Sequence, residues 1–244
     1  MRRGFLACVG FCAALPGFAW AGPPYVSDDA EPTDDGHYEI YLFNSGTNVR
    51  GDTGGQSGID FNYGAAQDLQ LTAVVPLDFD SAAGHATVAG LGNVELAAKY
   101  RFLHQADDGW DVAVFPRLFL PTMSSEVGDK RFSLLLPVWL EKDWDKWSTF
   151  GGGGCVLDNG RDTQNFCLMG WALARQVLPD LQIGAELVHQ TAEMRGGRDS
   201  TSIGGGVKYD IDDHYHLLAY AGPGLQNAAT TDRYSWYASV LFTF

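Results

Sequence analysis

From His37 to Phe244 apolar and polar residues trade places at every second position, in blocks of about ten residues, with no competing helical period. The last block, residues 233–244, shows the rule. Tyr234, Trp236, Ala238, Val240, Phe242 and Phe244 share one face, and Ser235, Tyr237, Ser239, Leu241 and Thr243 share the other. Read in the same way, residues 37–48, 56–66, 69–75, 91–103, 110–120, 131–141, 147–156, 165–176, 180–191, 200–209, 214–224 and 233–244 predict twelve strands. The clearest two-faced block is 91–103, where Val94, Leu96, Ala98, Tyr100 and Phe102 oppose Asn93, Glu95, Lys99 and Arg101.

The connections alternate as well. Residues 66–68, 104–109, 142–146, 177–180 and 210–213 are short, whereas 78–89, 121–130, 191–199 and 225–232 are mostly longer. Outer-membrane barrels have short periplasmic turns and longer external loops. The pattern therefore predicts an all-β, antiparallel up-and-down transmembrane β-barrel of about 12 strands, with both ends in the periplasm. An Arg or Lys facing lipid near the midplane costs about 2–4 kcal/mol, which assigns Glu39, Asp60, Glu95, Lys99, Arg117, Glu186 and Lys208 to the lumen. The same parity sends Phe115, Phe119, Trp139 and Tyr220 inward. Two readings of this interior stand side by side. The charges form a structural salt-bridge network or line a solute path, and the aromatic rings fill space or contact a small apolar solute. Tyr100, Phe102, Trp144, Trp147, Tyr209, Tyr215, Phe242 and Phe244 fall at the periplasmic strand ends, the level of an aromatic girdle.

Composition changes the picture mainly at the N-terminus. Arg2-Arg3, the apolar run 5–15 and Ala19-Trp20-Ala21 make residues 1–21 an expected signal peptide. The run is too short to span a bilayer as a helix. Residues 22–36 are acidic and proline-rich without periodicity, and 37–244 form the barrel. Without Arg2 and Arg3 the chain has 14 basic against 30 acidic residues, a formal charge of −16, so nucleic acid is not an expected partner. Charge complementarity between the 22–35 segment and Lys99, Arg101 and Lys208 predicts that the segment docks in the lumen mouth as a plug.

Several motifs, taken in order, carry a resemblance. They are Gly22-Pro-Pro-Tyr25, Asp28-Asp29-Ala-Glu31-Pro32, Gly90-Leu-Gly-Asn-Val-Glu95 running on to Leu103, Phe115-Pro116, Leu120-Pro-Thr122 and Thr149-Phe-Gly-Gly-Gly-Gly154. Together they resemble the outer-membrane family named for the meta-pathway of phenol degradation, with Asn93 where that family often has Asp. The closing strand resembles the C-terminal signal of bacterial outer-membrane proteins, with Tyr234, Trp236, Phe242 and Phe244 as its aromatic positions. The resemblance implies an outer-membrane channel or passive transporter for small hydrophobic or aromatic compounds, with outer-membrane lipids and the barrel-assembly machinery as partners.

Cys155 and Cys167 flank an external loop in an oxidising compartment, which favours a disulfide over a catalytic thiol. His189 stands near Ser200, Thr201 and Ser202, so a Ser-His pair of a lipid-acting hydrolase can be drawn, and a structural barrel without transport is a further alternative. No zinc spacing or phosphate loop occurs, since the glycines at 151–154 lack the lysine and helix of a phosphate cradle. No metal, cofactor or catalytic residue is expected.

Overall fold

A computed structural model describes residues 24–244 apart from Gly51, Ala83, Asp129, Asn159 and Arg161. The signal peptide expected at 1–21 lies outside the described residues, as do Gly22 and Pro23. Strand segments follow the alternation: β1 Tyr38–Val49, β2 Asp52–Ala66, β3 Leu69–Ser81, β4 Val88–Leu91, β5 Glu95–Leu103, β6 Asp111–Val114, β7 Arg117–Phe119, β8 Ser133–Trp144, β9 Trp147–Asp158, β10 Phe166–Leu178, β11 Leu181–Gln190, β12 Ser200–Asp210, β13 Tyr215–Gln226 and β14 Tyr234–Thr243. All the pairings between them are antiparallel. Segments β4 and β5 both pair with β3, and β6 and β7 both pair with β5 and β8. Each duo is one interrupted strand, so the wall has twelve.

The two interruptions have different causes. Leu77 pairs with Leu91 but Val74 pairs with Glu95, so one extra residue is absorbed at 92–94 as a bulge. The bulge is pinned from the next strand, where Thr122 Oγ1 accepts from Val94 N at 2.8 Å and Leu120 N donates to Val94 O at 2.8 Å. At Pro116 the register is unbroken, but proline has no N–H to give the ladder. Its carbonyl still accepts from Ala98 N at 3.2 Å, and Phe115 N donates to Pro137 O at 3.2 Å.

Closure is made by the two terminal strands. β1 and β14 pair from Glu39↔Thr243 to Asn48↔Tyr234. One step further, Tyr38 N donates to Phe244 O at 2.9 Å and Phe244 N to Tyr38 O at 3.0 Å. A closed wall leaves no unpaired edge, which is what the lipid environment demands of a sheet. Among the described residues no helix is long and apolar enough to cross a membrane, and the short α1, Gln105–Asp108, sits in a turn.

The parity places side chains as the membrane requires. Leu42, Ile59, Leu71, Leu96, Leu136, Leu173, Leu187, Ile203 and Leu217 are exposed on the outer face. At the end that carries Tyr38 and Phe244, Tyr100, Phe102, Trp144, Tyr209 and Tyr215 are also exposed. Two basic groups on the same surface rest on rings, Lys142 Nζ over Trp110 at 5.3 Å and the Arg175 guanidinium over Trp147 at 5.0 Å. Cys155 and Cys167 are opposite one another on β9 and β10 and are disulfide-bonded.

Some boundaries differ from the sequence reading. β3 continues to Ser81, where the sequence suggests a loop from Asp78, because Asp78 and Asp80 are strand residues paired to Gly90 and Val88. β2 begins at Asp52, since Val49 already pairs with Asp52. The polar, glycine-rich outer halves of these strands extend above the apolar band, so alternation alone does not mark them.

Candidate functional site: the lumen and its N-terminal plug

The core of this barrel is a polar interior occupied by the chain's own N-terminal segment. Glu186 on β11 is only 1% exposed, and its carboxylate accepts from Ser27 N at 2.6 Å and Val26 N at 3.0 Å. Glu141 on β8 accepts from Ala30 N at 3.1 Å and from Ser148 Oγ at 3.3 Å. Gln70 on β3 accepts from both Thr33 N at 2.8 Å and Thr33 Oγ1 at 3.0 Å. Its amide then donates to Asn62 at 2.7 Å and Thr72 at 3.0 Å. Buried acceptors of this kind need donors, and here the backbone of residues 26–33 supplies them.

Charge pairs hold the same segment. Lys99, 3% exposed, meets Asp29 at 2.9 Å and Asp28 at 3.0 Å, and Arg101 lies 3.9 Å from Glu31. A lysine this deep requires such partners, because breaking a buried pair costs about 3–5 kcal/mol. Lys208 is buried on β12 with Asp210 at 3.8 Å. Arg117 on β7 grips Glu95 on β5 through two bonds of 2.6 and 3.0 Å, a bidentate arrangement, and stands 5.3 Å from the Phe115 ring.

Space for the segment comes from missing side chains. A Cβ at Gly206 would strike the Tyr25 ring, one at Gly184 the Tyr25 hydroxyl, and one at Gly170 would strike Ser27 Oγ. Tyr25 thus lies against the wall between Phe150, at 5.6 Å, and Tyr220, at 5.8 Å between ring centroids. Among the lumen candidates from the sequence, Glu95, Lys99, Glu186, Lys208, Phe115, Trp139 and Tyr220 are buried, and Glu39, Asp60, Arg117 and Phe119 line internal cavities. Glu141 and Gln70 were not among them. Glu141 shares a strand face with Trp139, two positions on, and that parity was the available signal.

Two cavities remain around the plug. The larger, about 450 Å³, lies on the side of the outer loops and is lined by Tyr25, Phe43, Phe119, Tyr220, Tyr237 and Trp236, with Asp60, Asp78, Glu95 and Arg117. The smaller, about 170 Å³, runs between the plug residues Ser27, Asp28 and Glu31 and the wall groups Glu39, Asp60, Lys99 and Arg117. Phe43 and Tyr237 stack in near-parallel planes at 6.3 Å.

The Ser-His alternative finds a different partner. His189 Nδ1 is 2.9 Å from Thr201 Oγ1 on the neighbouring strand, while Ser202 is buried on the opposite, lumen-facing side of β12. Among the described residues no group of three or more His, Cys, Asp or Glu side chains is placed to hold a metal.

A closed, twelve-stranded antiparallel wall with an apolar outer band, an aromatic girdle and a polar filled interior is the architecture of a bacterial outer-membrane β-barrel. The chain belongs to the family described as "Putative MetA-pathway of phenol degradation", whose family model matches residues 25–235. Among solved structures it is similar to an outer-membrane channel from Pseudomonas putida F1, with a TM-score of 0.74 at 14% identity over 88% of this chain and 98% of that one. It is also similar to the KdgM porin, with a TM-score of 0.61 at 11% identity over 84% and 99% of the two chains. The same porin in complex with disordered oligogalacturonate gives 0.59 at 12% identity, over 84% and 99%. These likenesses carry the fold. Among curated protein sequences none matches this chain.

Proposed function

We propose that the protein is a passive outer-membrane channel for small hydrophobic or aromatic compounds, closed at rest by its own N-terminal segment. The observation that carries this reading is the cavity of about 450 Å³ beside the plug, walled by the aromatic side chains of Tyr25, Phe43, Phe119, Tyr220 and Tyr237. Pockets of about 300–1,000 Å³ with apolar walls and a few polar groups suit small organic molecules. A purely structural barrel has no use for an aromatic vestibule facing the outside, nor for a separate N-terminal segment held in the lumen by hydrogen bonds and ion pairs. Transport is passive because the outer membrane offers no nucleotide and the sequence has no phosphate loop. The outer wall meets membrane lipid, and the closing strand β14 is the part that the assembly machinery reads.

Uptake into protein-bearing vesicles whose lipopolysaccharide slows unassisted passage tests the reading. A panel of aromatic, aliphatic and sugar solutes should show aromatic solutes entering faster than in protein-free vesicles. Equal rates with and without protein, for every aromatic solute, contradict it.

A further inference from the structure

The lumen is charged unevenly. Around the two cavities stand six carboxylates, Asp28, Glu31, Glu39, Asp60, Asp78 and Glu95, against Lys99 and Arg117. Both cations are already engaged, Lys99 by Asp28 and Asp29 and Arg117 by Glu95. Glu39, Asp60 and Asp78 have no cationic group within 4 Å among the described residues. Asp60 accepts only a neutral amide bond from Asn62 at 3.0 Å, and Glu39 a phenol bond from Tyr41 at 3.1 Å.

Aromatic faces surround these free carboxylates. The edge-on pair Tyr25 and Tyr220 and the stacked pair Phe43 and Tyr237 line the larger cavity together with Asp60 and Asp78. Ring faces carry negative potential and attract organic cations, and desolvated carboxylates add to that attraction. An aromatic carboxylate meets the opposite situation. Among the described residues the one guanidinium lining the cavity, that of Arg117, is turned bidentately to Glu95, and the remaining charge repels the anion.

We propose that the outer vestibule is a binding site for small aromatic ammonium compounds, with Asp60 and Asp78 as the charge-selecting groups and Tyr25, Phe43, Tyr220 and Tyr237 as the walls. This rests on the channel reading for its biological use, but binding is measurable without transport. A matched series serves as probe: phenethylamine, 2-phenylethanol and phenylacetate share one phenyl body and differ in a cationic, neutral or anionic end.

Equilibrium binding of each to the full-length, detergent-solubilised barrel at mildly alkaline pH, where the carboxylates are ionised and the amine is still protonated, should rank amine above alcohol above acid. The amine should bind at least about tenfold more tightly than the acid, the scale of one unpaired charge at a partly buried site. The paired Asp60→Asn and Asp78→Asn substitutions should bring amine and acid to within about threefold of each other. The Asp78→Asn variant alone, at the better hydrated outer end of β3, should give an intermediate ratio if the double variant assembles poorly. Equal or reversed ranking in the native protein overturns the proposal, and so does an undiminished ratio in the variants. If the amine binds but no aromatic solute crosses vesicles, the channel reading fails and this site stands. If neutral aromatics cross without charge preference, the reverse holds.

Discussion

Glu186 makes the lumen and the N-terminal segment dependent on one another. The carboxylate sits inside the wall and takes two backbone N–H groups from the plug. Replacing it by Ala leaves those buried donors without acceptors, at about 1–3 kcal/mol each. The Glu186→Ala protein should therefore assemble normally yet release the segment, and single-channel recordings should show a larger or more frequently open conductance than native. Gly206→Val acts on the same segment through space alone, because its side chain collides with the Tyr25 ring. It should raise conductance in the same direction with the barrel still migrating as a folded species on gels. A third residue lies outside the wall. Asp68, in the turn between β2 and β3, bonds to Arg101 Nε at 2.9 Å and to His104 Nε2 at 2.9 Å. Burial pushes its carboxyl up, but the hydrogen bonds from His104 and Arg101 outweigh this and hold it below the usual carboxylate range. A depressed folded value means that its stabilisation is complete above the unfolded value of about 3.9 and is lost as pH falls through the folded one. Thermal unfolding of Asp68→Asn should differ from native at pH 7 and converge on it at strongly acidic pH.

At the scale of elements, the closing strand does a defined job. β14 pairs along its length with both β1 and β13, and the terminal Phe244 adds the last two bonds to Tyr38. Deleting Phe244 removes those bonds and the ring contact with His214 at 5.9 Å, so outer-membrane levels of the protein should drop while the molecules that do assemble conduct normally. The β9–β10 disulfide closes a loop of about a dozen residues, worth roughly 3 kcal/mol on a chain-entropy estimate. Reduction or Cys155→Ser should lower the unfolding temperature without changing solute passage. The strands themselves were legible because a period of two has only two solutions, and a one-residue slip would turn Glu95, Lys99 and Arg117 out into lipid. The bulge at 92–94 was not legible, since it appears only when Leu77↔Leu91 is compared with Val74↔Glu95 on a partner strand. Extension of β3 to Ser81 escaped for a related reason: beyond the apolar band, polarity no longer reports which face meets lipid.

For the molecule as a whole, charge complementarity pointed to a plug, and Lys99 and Arg101 do meet its carboxylates. Where the segment sits was not legible. Its main anchors are backbone N–H groups bound to Glu186, Glu141 and Gln70, and any sequence carries such groups. The glycines at 170, 184 and 206 that make room for it look, in sequence, like ordinary strand glycines. With the segment in place, cavities of about 450 and 170 Å³ lie beside it, and without it the lumen carboxylates and Lys99 would face water. The central claim is that residues 24–34 close an otherwise continuous lumen. Planar-bilayer recordings comparing the native protein with a variant lacking residues 24–34 test it most directly. A plugged lumen gives a small or rarely open conductance for the native barrel and a large, persistent one for the variant, and unchanged conductance on removal of the segment would contradict it.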